Sequence, residues 1–197
     1  MQQQNFDKFK KKGIKILDEN SIFIDNTVNI GSGTVIFPFT QIYGKTKIGK
    51  NCKIISSILE DCTVGDNVTI GPFSHIRAQS VIEDGVEIGN FVEIVRSKIG
   101  AQSKVKHFSY CGDATVGKKV NIGAGTITAN YDGKAKWKTV ISDESLIGVD
   151  TSFVAPVKIG KRVKTGAGAV VISNLPDDST AVGVPAKVIK ISGKRVS

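Results

Sequence analysis

Aliphatic residues recur every six positions through most of the chain. Ile30, Ile36, Ile42, Ile48 and Ile54 stand six apart. After shifts of phase, the same spacing continues at Ile58, Val64, Ile70, Ile76, Ile82, Ile88 and Ile94, at Tyr110, Val116 and Ile122, and at Ile141, Ile147, Phe153, Ile159, Thr165 and Val171. An α-helix repeats its apolar face roughly every three to four residues, so this is not a helical pattern. A period of six is typical of the hexapeptide repeat of a parallel β-helix.

Small residues accompany the aliphatic ones. Gly often follows directly, as in Ile48-Gly49, and a small or short-branched residue such as Thr34 or Cys52 usually comes four positions after the aliphatic one. Gly tolerates the backbone angles that tight turns require. Each hexapeptide therefore predicts one short strand and one turn, with the aliphatic side chain pointing into a narrow prism. Three hexapeptides close a coil of about 18 residues, which predicts roughly eight or nine coils.

Breaks in the period divide the chain. We expect a short basic lead-in with room for a helical turn or two at 1–22, an all-β prism at 23–174 and a tail at 175–197. The largest interruption of the prism runs from 128 to 139, where Asp132-Gly133 is a strong turn signal. A loop extruded from a regular prism adds nothing to its packing, and functional residues concentrate in such loops. The sequence therefore predicts a functional loop here.

The composition indicates one globular domain. The chain has 197 residues, of which 40% are hydrophobic and 7% aromatic. No apolar run approaches the ~20 residues of a membrane span, and the first residues lack the layout of a signal peptide. The three cysteines, Cys52, Cys62 and Cys111, form no CxxC pair and are odd in number. They indicate reduced thiols in a cytoplasmic protein without a membrane partner.

The formal net charge of +9 comes partly from lysines near both ends of the chain. Solvated termini are the favoured interpretation. The alternative is attraction of an anionic small molecule such as a sugar phosphate or coenzyme A. No nucleic-acid-binding motif accompanies the charge, so no nucleic-acid partner is expected.

Four strings of residues carry a resemblance to a known family: Gly71–Arg77, Gly89–Ile94, His107–Ala114 and Asn121–Gly133. They resemble the acetyltransferase half of the bifunctional bacterial glucosamine-1-phosphate N-acetyltransferase / N-acetylglucosamine-1-phosphate uridylyltransferase. The likeness covers most of the chain and is strongest from residue 71 to about residue 168. It implies a left-handed parallel β-helix, a homotrimer, acetyl-CoA as co-substrate between neighbouring prisms, and a role in nucleotide-sugar and cell-wall biosynthesis.

The chain also departs from this family. The uridylyltransferase half has no counterpart in the sequence, so no such activity is expected and a separate enzyme would supply it. Val95 stands where the family has a Lys that helps to hold the sugar phosphate, and Val149 replaces a small residue that contacts the coenzyme. The Gly183–Ile189 segment is more similar to stand-alone hexapeptide acyltransferases.

Acetyl transfer to an amine requires a group that accepts the amine proton. The sequence has two histidines, His75 and His107, which is too few for a three-histidine zinc site, and no metal is expected. His107 lies two residues after Val105 and is expected to face outward, where an imidazole can act as a general base. The resemblance assigns His107 this role and implies that Glu93 orients it or binds the substrate amine. His75 is expected to be structural.

The resemblance also assigns the substrate-binding residues. Arg77 would grip the phosphate, because its planar fork suits phosphate oxygens. Tyr110 and Asn121 would hydrogen-bond the sugar, although Tyr110 also falls on the inward phase, where packing is the alternative. Lys136, in the extruded loop, would reach the substrate of an adjacent subunit, unless it is an ordinary solvated lysine.

The family's coenzyme positions fall on Ala124, Asn130, Tyr131 and Ala167. Small residues leave backbone N–H groups open to a ligand, which suits an oxyanion and the pantetheine amides. Filling of tight corners is the alternative for Ala124 and Ala167.

The leading hypothesis is an acetyl-CoA-dependent N-acetyltransferase acting on glucosamine 1-phosphate. A close variant, motivated by Val95, changes the acceptor to another amino sugar or its nucleotide form. A non-catalytic β-helix with a binding or structural role is the alternative of a different class.

Overall fold

The computed structural model describes residues 6–196, which form a three-sided prism of short strands. Each coil contributes one strand in turn to face 1, face 2 and face 3, and strands of successive coils pair in parallel. Face 2 has nine strands, one for each coil. The prediction of a left-handed parallel β-helix is confirmed.

The strands are two to five residues long, and helix α1 (Asp7–Lys10) precedes them. Face 1 contains Lys15–Ile16 (β1), Val35–Ile36 (β4), Lys53–Ile54 (β7), Thr69–Ile70 (β10), Glu87–Asn90 (β13), Lys104–His107 (β16), Asn121–Ile122 (β19), Leu146–Ile147 (β22), Lys164–Thr165 (β25), Ser179–Val182 (β27), Lys187–Ile191 (β28) and Lys194–Arg195 (β29). Face 2 contains Phe23–Ile24 (β2), Gln41–Tyr43 (β5), Ile58–Glu60 (β8), His75–Arg77 (β11), Glu93–Val95 (β14), Tyr110–Gly112 (β17), Ile127–Ala129 (β20), Ser152–Val154 (β23) and Val170–Val171 (β26). Face 3 contains Asn29–Ile30 (β3), Lys47–Ile48 (β6), Thr63–Val64 (β9), Val81–Ile82 (β12), Lys98–Ile99 (β15), Ala114–Val116 (β18), Thr139–Ile141 (β21) and Val157–Ile159 (β24).

The core is a stack of aliphatic side chains inside the prism. On face 1, Ile36, Ile54, Ile70 and Ile88 are direct partners in successive strands, and all are buried. Each coil therefore covers the apolar layer of the one before it, which is how a solenoid buries a continuous core. A polar or charged side chain at one of these positions would lie between two apolar layers without a partner.

Two residues that the six-residue period places inside the prism point outward instead. Leu59, not Ile58, is buried in β8, and Cys111, not Tyr110, is buried in β17. The cause is a shorter repeat, since Leu59 lies five residues before Val64 rather than six. Side chains alternate between the two sides of a strand, so a shift of one residue exchanges inside and outside. The packing alternative for Tyr110 is therefore wrong.

Both ends of the prism extend beyond 23–174. Near the start, β1 already pairs with β4, and Phe6 and Phe9 around α1 are buried against the first coil. Near the end, β27 pairs in parallel with β25, and β28 and β29 continue face 1 as an antiparallel ribbon. These strands are defined by their hydrogen bonds to neighbouring strands. The spacing of apolar residues in segments this short does not reveal such pairing. Within residues 6–196, no helix combines the length and apolar character needed to cross a membrane.

Candidate functional site

His107 ends β16 at the edge of the prism between faces 1 and 2, which we call the His107 edge. Its backbone is fixed, because Phe108 N–H donates to the Asn90 carbonyl at 2.9 Å and the Ser109 hydroxyl donates to the His107 carbonyl at 2.6 Å. The side chain is exposed. In the part of the chain that the structure describes, the imidazole makes no hydrogen bond to another residue, so both ring nitrogens are open to a ligand.

Glu93 and Tyr110 begin the face-2 strands β14 and β17 beside this edge, and Arg77 ends the neighbouring face-2 strand β11. Glu93 is in register with Tyr110, and Arg77 is in register with Val95. The Arg77 guanidinium donates to Glu93 Oε1 from Nε at 2.9 Å and from Nη2 at 2.6 Å. The structure therefore brings three of the sequence-predicted residues together and places a cation and a carboxylate in direct contact.

Glu93 is paired with Arg77 and not with His107. Among residues 6–196, the hydrogen bonds of the Glu93 carboxylate all use Oε1, so Oε2 is open to another donor. His75 is the register partner of Glu93, and its Nε2 lies 3.6 Å from Glu60 Oε2. The expectation that Glu93 orients the base has no support in this geometry, and binding of a substrate amine is the role that Oε2 leaves open.

Val95 adds no charge to face 2. It is buried and lies in register between Arg77 and Gly112. The Tyr110 ring extends over Gly112, where an added Cβ would overlap the phenol. Tyr110 thus presents its hydroxyl at the far end of face 2, where Val95 is the residue in register with Gly112.

A second cluster lies where face 2 meets face 3, at what we call the Asp113 edge. Arg96 Nε and Nη2 donate to the two Asp113 carboxylate oxygens at 2.7 and 2.9 Å, and the buried Asn130 amide donates to Asp113 Oδ2. The hydrogen bond from Arg96 is the largest cause that lowers the pKa of Asp113, and the Asn130 hydrogen bond lowers it further. Asp113 therefore remains an anion at neutral pH.

The extruded loop spans 130–138, because Thr128 and Thr139 are buried residues of β20 and β21. Inside it, the Asp132 carboxylate accepts hydrogen bonds from the N–H groups of Lys134 and Ala135 at 2.8 Å. It also accepts one from Trp137 Nε1 at 2.7 Å. Hydrogen bonding, that from Ala135 first, lowers the pKa of Asp132 to about 2. The loop is thus organised around one carboxylate.

The remaining predicted residues separate into two groups. Tyr131 and Lys136 are exposed in the loop and form an isolated bridge with each other. Ala124 and Ala167 lie on the His107 edge in later coils, and Asn121 is exposed on face 1 in β19. The edge is continuous there, since Asp150 N–H donates to the Ala124 carbonyl at 2.7 Å.

The earlier coils of the same edge carry exposed aromatic side chains. Phe39, Phe73, Phe91 and Phe108 are 69%, 59%, 61% and 57% exposed, and the rings of Phe73 and Phe91 stack with centroids 5.7 Å apart. Contiguous exposed apolar surface of this kind marks a contact region on soluble proteins. His107 thus lies where an aromatic edge changes to an edge of small residues.

Comparisons with known proteins agree with the fold. Residues 61–96 match the family described as bacterial transferase hexapeptide (six repeats). The chain is 44% identical over 200 residues to the bifunctional protein GlmU of Thermosipho africanus, in an alignment covering 93% of this chain and 44% of that protein. The hexapeptide repeat of bacterial transferases is therefore present in the chain at residues 61–96. The resemblance inferred from the strings between residues 71 and 133 is thereby confirmed.

A second hexapeptide-repeat relative is the bifunctional protein GlmU of Thermodesulfovibrio yellowstonii, which is 46% identical over 190 residues, covering 87% of this chain and 42% of that protein. The chain thus spans less than half the length of these relatives. Among solved structures, the Arabidopsis UDP-N-acetylglucosamine acyltransferase aligns with a TM-score of 0.71 at 17% identity, covering 91% of this chain and 73% of that one. That likeness supports the fold.

Sequence reasoning missed Arg96 and Asp113. Asp113 stands inside one of the quoted strings, but its partners lie one coil away on either side and nothing in the local sequence identifies them. Both residues have positive φ, +49° in each case, a conformation that is uncommon outside glycine. Within residues 6–196, no three His, Cys, Asp or Glu side chains cluster in a way that could hold a metal ion.

Proposed function

We propose that the chain is an N-acetyltransferase that moves acetyl from acetyl-CoA to the amine of glucosamine 1-phosphate or a related amino sugar. The observation that carries the proposal is the open His107 imidazole, fixed at the edge of a face that holds Arg77, Glu93 and Tyr110. A general base, a carboxylate for the amine and a guanidinium for an anionic group are the components that this reaction needs on the acceptor side.

The reaction can be written with these residues. The acceptor amine attacks the thioester carbonyl while a nitrogen of His107 accepts the amine proton, so that a C–N bond forms. The C–S bond then breaks, and the CoA thiolate takes the proton back from the imidazolium. General-base assistance of this kind contributes roughly 10²–10⁴-fold to rate. The oxyanion would be met by backbone N–H donors near Ala124, whose small side chain leaves the edge accessible.

The acceptor is held on face 2 in this proposal. Oε2 of Glu93 accepts a hydrogen bond from the amine, and Arg77 donates to the anionic group through the N–H groups that Glu93 does not use. Tyr110 hydrogen-bonds the sugar hydroxyls from the same face. Asn121, which lies on face 1, would hydrogen-bond the sugar from a neighbouring copy of the chain. Acetyl-CoA lies along the later coils, against Ala124, Asn130, Tyr131 and Ala167.

The chain would act as a homotrimer. The aromatic part of the His107 edge supports this, because a neighbouring copy would cover the exposed rings of Phe73, Phe91 and Phe108. The extruded loop would then bring Lys136 toward the substrate of the adjacent copy. Native mass spectrometry tests the assembly, and a monomer at working concentration would contradict it.

The test of the reaction is release of the CoA thiol by the purified protein with acetyl-CoA and glucosamine 1-phosphate. His107→Ala should lower the rate by about 10²–10⁴-fold. Lys104→Ala is the matched control, because Lys104 is exposed on the same strand and ion-paired with Glu87 at 3.0 Å. An equal loss in both variants, or no thiol release by the wild-type protein with any amino sugar, would contradict the proposal.

The identity of the acceptor needs a separate competition. Because Val95 replaces the family's lysine, a phosphate bound here would have one fewer cationic partner. This favours an acceptor whose anionic group is held differently, such as another amino sugar or a nucleotide amino sugar. Equal concentrations of glucosamine 1-phosphate and a nucleotide amino sugar should be offered together. A clear preference for glucosamine 1-phosphate would eliminate this variant. Failure of acetyl-CoA to bind in calorimetry would instead favour a non-catalytic β-helix.

A further inference from the structure

Asp113 contacts both ends of the extruded loop. At the beginning of the loop, the Asn130 side-chain amide donates to its carboxylate. At the end of the loop, Thr139 N–H donates to its backbone carbonyl at 3.3 Å. The loop is closed between these two points by Trp137 N–H, which donates to the Asn130 carbonyl at 2.7 Å. One residue of the prism thus holds the two points where the loop leaves and rejoins the prism.

The loop itself gains little from packing. Residues 131–138 are all exposed, and Asp132 organises the turn from within the loop. The position of the loop relative to the prism therefore depends on contacts at its base, where Asn130 is buried and Asp113 is mostly buried. Charge-assisted hydrogen bonds at such a site are stronger than neutral ones.

Asp113 is also paired with Arg96 of the preceding coil. The Arg96 guanidinium donates to both carboxylate oxygens, at 2.7 and 2.9 Å. Arg96, Asp113 and Asn130 therefore form a continuous series of hydrogen bonds across the Asp113 edge. The series ends at Asn130, a residue assigned to the coenzyme.

We propose that Asp113 is a positioning residue that, held by Arg96, fixes the extruded loop and Asn130 for the acyl donor. The kinetic part of this inference rests on the proposed acetyl transfer. The anchoring of the loop does not, because it concerns the conformation of the protein alone.

The test compares Asp113→Asn with Asp178→Asn. Asparagine keeps the shape of the side chain and tolerates positive φ, but it cannot form the bidentate ion pair with Arg96. Asp178 is the matched control: it makes the same bidentate pair with Arg162, at 2.6 and 2.8 Å, and has a φ of +58°, but it lies on the last coils away from the loop. Thermal unfolding confirms that each variant is folded.

The first readout is the fluorescence of Trp137, the one tryptophan in the sequence, which lies in the loop. Acrylamide quenching should be faster in Asp113→Asn than in the wild-type protein, and fluorescence anisotropy should fall, while Asp178→Asn leaves both unchanged. Unchanged quenching in Asp113→Asn, or the same change in both variants, would overturn the anchoring role. This arm is informative even if the protein transfers no acetyl group.

The second readout is kinetic. Asp113→Asn should raise the KM for acetyl-CoA by about tenfold, with smaller effects on the KM for the acceptor and on kcat, because it disorders Asn130 and leaves His107 in place. A fall in kcat with the KM for acetyl-CoA unchanged would overturn the positioning role. If Asp113→Asn does not fold, Arg96→Lys replaces it, since a lysine keeps the charge but loses the fork. It should raise the KM for acetyl-CoA and increase Trp137 quenching, and no change in either would overturn the proposal.

Discussion

Arg77 Nε and Nη2 both donate to the same oxygen of Glu93, at 2.9 and 2.6 Å, although the two residues are 16 positions apart in the sequence. The other Glu93 oxygen remains open on face 2, and His107 lies at the edge of the same face. The pair therefore gives the face a fixed guanidinium and one free carboxylate oxygen. This arrangement suits a substrate that carries an amine and an anion.

Replacement of Glu93 by Gln should impair the acceptor and spare the acyl donor. The amide loses the negative charge that would receive the amine, and the hydrogen bonds to Arg77 become weaker. We expect the KM for the amino sugar to rise about tenfold while the KM for acetyl-CoA is unchanged. Initial-rate kinetics with each substrate varied in turn measure this. Glu60→Gln, on the same face in β8, is the control, and equal rises in both KM values of Glu93→Gln would refute the assignment.

The inward position of Leu59 can be tested by stability. Leu59→Ala leaves a cavity between two apolar layers and should lower the free energy of unfolding by about 2–5 kcal/mol. Ile58→Ala removes a side chain that is already partly exposed and should cost about 1 kcal/mol. Urea unfolding followed by circular dichroism compares the two variants. A larger loss for Ile58→Ala would mean that the strand register is wrong.

Gly89 is required for the approach of β13 to β16. A Cβ at this position would overlap the backbone carbonyl oxygen of Lys106, the residue before His107. Gly89→Ala should therefore displace the end of β16 and lower both stability and thiol release. Gly13 also has a positive φ, +78°, but the atom nearest to an added Cβ would be 3.9 Å away. Gly13→Ala therefore measures the cost of backbone strain alone, about 1 kcal/mol. Equal stability of the two variants would contradict the proposed overlap.

The cysteine thiols should be protected from reagents in the folded protein. Burial raises the pKa of Cys62 and of Cys111 to about 12, and it raises the pKa of Cys52 as well. The thiolate is the reactive form, so little of it is present at pH 8. Titration with a disulfide reagent should find three thiols in denaturant and almost none before unfolding. Rapid reaction of all three thiols with the reagent in the folded protein would contradict their burial.

The loop should keep its conformation at acidic pH and lose it only at strongly acidic pH. Asp132 has a folded-state pKa of about 2 against an ordinary 3.8, so it accepts its hydrogen bonds as a carboxylate in the folded loop. A lowered folded-state pKa stabilises the loop fully above the ordinary value, and this contribution is lost as the pH falls through about 2. Trp137 fluorescence against pH follows the change. Asp132→Ala should remove this transition, and its persistence in the variant would assign it to another group.

The sequence by itself determined the kind of fold and the location of the extruded loop. The six-residue period predicted the prism, the resemblance identified the family, and the interruption near Asp132 located the loop. These features could be predicted because each is local. A repeat, a sequence motif or a turn signal is contained within a few residues.

Only the tertiary structure decided which side chains meet. Whether Leu59 or Ile58 lies inside depends on coil length, and coils of different length are compatible with the same apolar residues. The pairs Arg77–Glu93 and Arg96–Asp113 join residues 16 and 17 positions apart, because parallel stacking places each residue beside one in the next coil. A change of one residue in the spacing between strands exchanges the inner and outer side chains of the strand that it displaces, as it does in β8. The contacts of the site are therefore set by the register between coils, which the period of the sequence leaves open.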